Sequence, residues 1–311
     1  MLTVRFAIPD ASDPDVLDAS TPRIFTEPLY VASREFEIVS GPIVSSFCAS
    51  ASASSRAEFS VAARDDAPPV LPPADLCDAY TLGDRIPVSR WYFDDKSDKE
   101  QSYQHRTRDE ITSFMEEIEN QQTYYYGQTD TWLYSALQTF PIKDKRVLLM
   151  GSNVPWYESV CLVHGAAECV TLEYNELSYE HERLTTVTVE EYERDPGKYG
   201  KFDMVWSISS FEHDGLGRYG DPLNPSADLE AMAKAASYLR PDGLMVVSVP
   251  VGKDEVRWNE GRVYGRIRLP MLLSGWDLVG TEGFSDSDLD KVVRSHSHQP
   301  VFVVKRQAPE L

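Results

Sequence analysis

The chain is short of basic residues: 30 Lys and Arg stand against 50 Asp and Glu in 311 residues, a formal charge of -20. So acidic a protein repels a phosphate backbone, which excludes a general nucleic-acid binder and leaves a small molecule or another protein as the expected partner. Nowhere do eighteen apolar residues follow one another, and the opening MLTVRFAIPDASDPDVLD holds no apolar run long enough for a secretory signal. Asp10, Asp13, Asp15 and Asp18 also argue against a transit peptide, which is poor in acids. These absences predict a cytoplasmic location and no membrane partner. Cysteine is scarce as well. Cys48, Cys77, Cys161 and Cys169 show no CxxC spacing, and two of them fall inside a predicted buried helix and strand, so four free thiols in a reducing compartment are expected.

What is present suffices for a globular fold: 42% hydrophobic and 11% aromatic residues fill a core of one large domain or two small ones. Residues 1–100 read as an extension, partly irregular. Short β-like pieces at Leu2–Ile8 and Phe36–Val39 alternate there with SSFCASASASS and the proline-rich APPVLPPAD, which is poor core material. Residues 101–311 read as the folded domain. Ile111, Phe114, Met115 and Ile118, then Trp132, Leu133 and Leu137, recur at helical spacing and predict two helices within 107–140. The YYYG at 124–127 between them reads as packing and a helix stop.

From Arg146 onward short apolar runs alternate with helical patterns. Val147–Met150, Cys169–Leu172, Leu184–Val189, Phe202–Ile208 and Leu244–Val249 read as strands. Pro155–His164 reads as a helix that Gly165 stops, and a second helix opened by Ser226 and Asp228 carries Leu229, Met232, Ala233, Ala236 and Leu239 on its inner face. Such alternation predicts a doubly wound α/β domain with a mostly parallel sheet, whose ligands bind beyond the carboxyl ends of the strands. Trp276–Thr281 and Pro300–Lys305 have too little chain between them for an ordinary crossover helix, so they are expected to pair antiparallel.

Three loops then carry the chemistry. Gly151, followed by Ser152 and Asn153, lets the backbone after the first strand pass close beneath a nucleoside, although the three glycines of a GxGxxG turn are missing. Glu173 ends the second strand, where a carboxylate accepts both hydroxyl protons of a ribose. The fourth strand ends near Ser209 and runs into FEHDGLGRYGDPLNP, which crowds Glu212, His213 and Asp214 with Arg218, Tyr219, Asp221 and Asn224 among three glycines and two prolines. His213 is the candidate base, since its ordinary pKa lies near neutrality, and Asp214 or Glu212 would orient it. Capping of the loop by the two acids, with His213 packed beneath, is the alternative. A second charged stretch, WNEGRVYGRIRLP, adds Trp258, Arg262, Tyr264 and Arg266 as candidate substrate contacts; with Arg268 its arginines would favour a carboxylate or phosphate on the substrate, unless they only pair nearby acids.

Several of these words resemble a known family. PWYE (155–158), EYN (173–175), SSFEHDGLGRYGDPLNP (209–225) and WNEGRVYGRIRLP (258–270) resemble the uncharacterised domain-of-unknown-function 268 family, related to the class I S-adenosylmethionine-dependent methyltransferases. YLRPDGLMVVSVP (238–250) likewise resembles the methyltransferase turn and fifth strand. The resemblance covers roughly Arg146 to the last residue. It implies a class I methyltransferase-like Rossmann fold, whose mostly parallel sheet ends in an antiparallel strand, and S-adenosylmethionine as cofactor, held by Gly151, Ser152, Asn153, Glu173 and Ser209. Methyl transfer to a hydroxyl, less readily an amine, of a small polar and acidic molecule is the expectation. A catalytically silent binding or scaffold protein on the same fold is the alternative, and donor-free hydrolase chemistry lacks a GxSxG nucleophile turn near the loop. No metal is expected: Glu212, His213, Asp214 and Asp221 are chain neighbours that point different ways, and His296 with His298 sits in a polar loop.

Overall fold

The computed structural model describes residues 67–94, 103–293 and 298–307. The pieces at Leu2–Ile8 and Phe36–Val39, and the residues Cys48 and His296, lie outside the described residues. In chain order the elements are α1 (Ala74–Thr81), β1 (Val88–Trp91), β2 (Tyr103–Arg106), α2 (Arg108–Glu119), α3 (Gln128–Thr139), β3 (Arg146–Met150), α4 (Trp156–Val163) and β4 (Glu168–Glu173). There follow β5 (Glu176–Tyr179), β6 (Leu184–Thr188), α5 (Val189–Arg194), α6 (Pro196–Tyr199), β7 (Phe202–Ile208), α7 (Ala227–Tyr238) and β8 (Leu239–Ser248). The last are β9 (Glu255–Asn259), β10 (Gly261–Val263), α8 (Arg268–Leu272), β11 (Trp276–Glu282) and β12 (Val301–Arg306).

Seven strands form the main sheet in the order β11-β12-β8-β7-β3-β4-β6. The five from β8 to β6 are parallel, while β12 runs antiparallel to β8 and β11 antiparallel to β12. This is the doubly wound sheet with an antiparallel finish that the alternation and the short last connection predict. Strands β3 and β7 are apolar almost throughout because both faces are covered. On one face Ile111, Ile118, Leu133, Leu137 and Val160 of α2, α3 and α4 pack against Val147, Leu149 and Trp206; on the other Met232, Ala235 and Tyr238 of α7 pack against Leu148, Val205 and Val247. Each fully buried Val, Leu, Ile or Met among them contributes roughly 1.5–3 kcal/mol. The chain leaves β3 toward β4 on one side and reaches β7 on the other, so the sheet's switch point opens at the carboxyl end of β3.

Local chemistry explains the element ends. Thr107 and Glu110 form a reciprocal capping box at the start of α2, with the Thr107 N–H donating to Glu110 Oε2 at 2.8 Å. In α7 the buried positions are Asp228, Met232, Ala235 and Tyr238, and Ala233 is exposed, so the predicted stripe is rotated by the burial of Asp228. Pro241 and Gly243 fall within the bounds of β8, but Phe202 pairs with Leu239 and Met204 with Leu244, so residues 240–243 bulge from the ladder and make the turn expected after α7.

Two expectations need correcting. Residues 67–94 are not a loose extension, because β1 pairs in parallel with β9, β10 completes a three-stranded sheet, and Tyr80, Ile86, Leu216, Val256 and Trp258 form its core. Hydrophobic residues sparse in sequence are here brought together by β9, far along the chain. The four cysteines are not all free either: Cys77 is in a disulfide, while Cys161 and Cys169 are free and buried. That bond removes the thiol argument for a reducing compartment. Among the described residues no helix is long and apolar enough to cross a membrane.

Candidate functional site

The turn after β3 is built by Gly151, whose φ of +77° is open to glycine and strained for other residues. A Cβ there would also collide with the Ser210 side chain. The Ser152 N–H donates to Glu173 Oε2 at 3.1 Å, and the Tyr174 N–H donates to Glu173 Oε1 at 2.8 Å. Glu173 therefore stands across the turn from Gly151 with both oxygens fixed, and burial raises its pKa against those donors. Behind the turn Glu158 is fully buried, accepting from Thr171 Oγ1 at 2.7 Å and lying 3.2 Å from Ser152 Oγ. Burial pushes its carboxyl up to about 7. Asn153 is exposed beside them.

The loop after β7 begins at Ser209, with φ of +51°, and turns through a 3-10 segment at Phe211–His213. Ser209 Oγ donates to Glu212 Oε1 at 2.5 Å and accepts from Gln299 Nε2 at 3.1 Å. Gln299 is itself buried, its backbone carbonyl accepting from Thr129 Oγ1 at 2.8 Å and Ser248 Oγ at 2.9 Å. His213 Nδ1 lies 2.5 Å from the Glu260 carbonyl, which can only accept, so this nitrogen carries a proton. Nε2 then faces Glu212 Oε1 at 3.7 Å, with the imidazole 13% exposed and the Glu212 side chain wholly buried. Burial raises Asp214 well above the carboxylate range, and Asp221, Asp228 and Glu212 push the same way against Arg262.

The loop is held from beneath. Arg262 Nη1 donates to the carbonyls of Asp214 (2.7 Å) and Glu212 (3.3 Å), and Tyr80 Oη donates to the Gly215 carbonyl at 2.6 Å. Arg268 forms a bidentate pair with Asp228, which also accepts from Tyr264 Oη at 2.9 Å. Thus Trp258, Arg262 and Tyr264, expected on a substrate wall, are buried behind the loop, where Trp258 Nε1 donates to the Pro69 carbonyl at 2.8 Å. Arg266 is also displaced from that wall: it chelates Asp290 and lies 3.6 Å from Asp286 near the surface. Asp221 ties the loop by accepting from the Gly217 and Tyr219 amides, and Asn224 caps the turn into α7 by accepting from the Ser226 amide at 2.9 Å. Arg218 stacks on Phe93 at 4.4 Å and on Tyr219 at 4.9 Å, and Tyr219 meets His213 edge-on at 5.8 Å.

So the structure brings Gly151, Ser152, Glu173, Ser209, Glu212, His213 and Asp214 to one edge of the sheet and moves the 258–268 cluster beneath it. Three residues there carried no functional expectation. Glu158 read as a helix-start acid, Gln299 read as loop, and Tyr126 read as packing, yet Tyr126 lies within electrostatic reach of Glu212 and Tyr219 and in contact with Ser209. Asp130 sets the Tyr124–Gly127 turn by accepting from the Tyr124 amide (2.7 Å) and Tyr157 Oη (2.9 Å), and burial lifts its pKa to about 6. Glu158 alone carried a signal, an acid inside the apolar helix WYESVCLV. A groove lined by Lys145, Asp203 and Arg240 opens at the opposite, amino-terminal ends of the strands and is not part of this site; Arg240 there pairs with Asp203. Among the described residues no group of three or more His, Cys, Asp or Glu side chains is arranged to hold a metal ion.

The family model described as "Caenorhabditis protein of unknown function, DUF268" matches residues 144–305, more than half of the chain. No curated protein matches. Among solved structures, a candidate S-adenosylmethionine-dependent methyltransferase from Streptococcus mutans is 10% identical with a TM-score of 0.37, over 57% of this chain and 48% of that one. The chain thus spans about half the length of that protein. A 1,6-didemethyltoxoflavin-N1-methyltransferase from Burkholderia thailandensis, solved with 1,6-didemethyltoxoflavin and S-adenosylhomocysteine, is 16% identical with a TM-score of 0.41, over 64% and 87% of the two chains. An S-adenosylmethionine-dependent methyltransferase from Mesorhizobium loti is 14% identical with a TM-score of 0.35, over 56% and 98%.

Proposed function

The chain belongs to the DUF268 family, whose description names no activity, and from the site itself we propose that it is an S-adenosylmethionine-dependent methyltransferase acting on a hydroxyl of a small polar molecule. The observation that carries this reading is the juxtaposition of Glu173, fixed across the Gly151 turn, with the Glu212–His213 pair at the same sheet edge. The cofactor brings a ribose diol, a sulfonium, an ammonium and a carboxylate, and no pyrophosphate. Glu173 accepts from the Ser152, Tyr174 and Asn175 amides, which leaves a carboxylate lone pair for a ribose hydroxyl. Ser152 and Asn153 would meet the amino-acid end, and the carboxylates of this edge suit the two positive charges. When bound, the group supplies an electrophilic methyl carbon.

The chain's own part is to hold the acceptor and take its proton. The Glu260 carbonyl fixes the Nδ1–H tautomer of His213, which leaves Nε2 as the acceptor of a hydroxyl proton. Glu212, beside Nε2, stabilises the imidazolium that results, while Ser209 and Gln299 hold the carboxylate in place. A base so placed is worth roughly 10²–10⁴ in rate. Calorimetric titration with S-adenosylmethionine, with NAD as control, tests the reading. Binding by wild-type protein that Glu173→Ala abolishes is expected; no binding by wild-type protein would overturn it.

One observation favours a second reading. The Ser210 side chain occupies the space that Gly151 leaves open, so the turn is tighter than a cofactor approach requires. A catalytically silent scaffold on this fold would keep the clamped loop and bind no methyl donor.

A further inference from the structure

Among the described residues the exposed large aromatic side chains are Tyr125 (69%), Tyr174 (66%) and Tyr219 (43%), and all three stand at the carboxyl edge of the sheet. Tyr125 meets Tyr126 edge-on at 4.9 Å, Tyr219 meets His213 at 5.8 Å, and Tyr174 directly follows Glu173. Ser209 Oγ bonds Glu212, which lies beside His213 and hence Tyr219, while the Glu173 that precedes Tyr174 bonds Ser152 next to Gly151, which packs on Ser210; with Tyr126 against Ser209, the three rings flank one continuous run of contacts. Exposed aromatic surface gathered in one place marks a contact site, because water is displaced cheaply from it and a tyrosine loses little freedom on binding.

The polar groups of the mouth limit what it takes. The cations give an anion little purchase: Arg262 and Arg268 are buried and turned to loop carbonyls and Asp228, Arg266 chelates Asp290, and Arg218, which does lie at the mouth, is stacked on Phe93 and Tyr219 and turned to the Glu260 carbonyl. A small cation gains less than the acid count suggests, since Glu173, Asp221 and Glu212 already accept from backbone amides or Ser209. What the half-buried Asp214 and Asp221 offer is carboxyl oxygens, which receive hydroxyl protons, and the tyrosines add electron-rich ring faces, against which polarised C–H bonds pack. We propose that the mouth binds an uncharged, polyhydroxylated ring of the sugar class, its C–H face on Tyr125, Tyr174 and Tyr219 and its hydroxyls toward the half-buried Asp214 and Asp221. As the identity of the methyl acceptor this rests on the function proposed above, and it replaces the acidic acceptor that the arginine-rich stretch suggests.

Saturation-transfer NMR on the full chain tests it, using neutral methyl glycosides, glucuronate and glucosamine at equal concentration, with S-adenosylhomocysteine titrated separately. Saturation of ring protons in at least one neutral glycoside is expected, with at least tenfold less in a Tyr125→Ser, Tyr219→Ser double variant whose melting curve matches wild type. Stronger binding of glucuronate or glucosamine, no binding of any glycoside, or binding indifferent to the tyrosines would overturn it. Glycoside binding without S-adenosylhomocysteine binding would sink methyl transfer and keep the sugar site. The reverse pattern would keep methyl transfer and sink the sugar site.

Discussion

The turn after β3 and the loop after β7 meet at Gly151 and Ser210, yet they are held by different chemistry. Glu158 and Glu173, two carboxylates whose pKa values burial raises, tie the turn through Ser152. The loop is tied by donors set on backbone carbonyls: the Arg262 guanidinium on two of them, Tyr80 on that of Gly215, and His213 on that of Glu260. A turn held by acids responds to pH and to an arriving ligand, whereas a loop held by a buried guanidinium keeps Glu212 and His213 in one geometry. On the proposed function, the cofactor side is thus adjustable and the proton-transfer side is fixed in advance.

Breaking the fixed side is expected to have the largest effect. Arg262→Met leaves two loop carbonyls without their buried donor and takes one cation from Asp228, and should cost ~3–5 kcal/mol in urea unfolding. A change below ~1 kcal/mol would mean that the loop is held otherwise. Ser209→Ala removes one donor from the buried Glu212 carboxylate and should cost ~1–3 kcal/mol by the same measurement.

The turn predicts a pH signature in place of a large loss. Glu158 titrates near 7 in the fold against an ordinary 4.5, so its neutral form is the favoured one. Its contribution is full below about 4.5 and declines as the pH rises through about 7. Glu158→Gln should therefore gain on wild type across that window, read as urea midpoints at both ends; a constant difference would count against the assignment. Smallest of all, Arg266→Ala should change stability by less than ~1 kcal/mol, because its partners are surface carboxylates.

Much of the fold was legible because buried parallel strands are written as unbroken apolar runs, as in Val147–Met150 and Phe202–Ile208. The position of Glu173 at a strand end was legible for the same reason. The side of the backbone on which Arg262 and Tyr264 fall was not, since charge in a loop sequence says nothing of which neighbour will bury it. Asp228 decides that, from a helix 34 residues earlier than Arg262. Gln299 was hidden likewise: its partners Thr129, Ser209 and Ser248 come from three distant segments. The packing of residues 67–94 depends on pairing with β9, a contact that local composition does not encode.

The most direct test is an amide NMR titration of the 15N-labelled full chain with S-adenosylhomocysteine. The account predicts shifts at Gly151, Ser152 and Tyr174, with Arg262 and Tyr264 unmoved. Saturable shifts confined to Arg240 and Gly243 at the opposite end of the strands, or none at all, would contradict it.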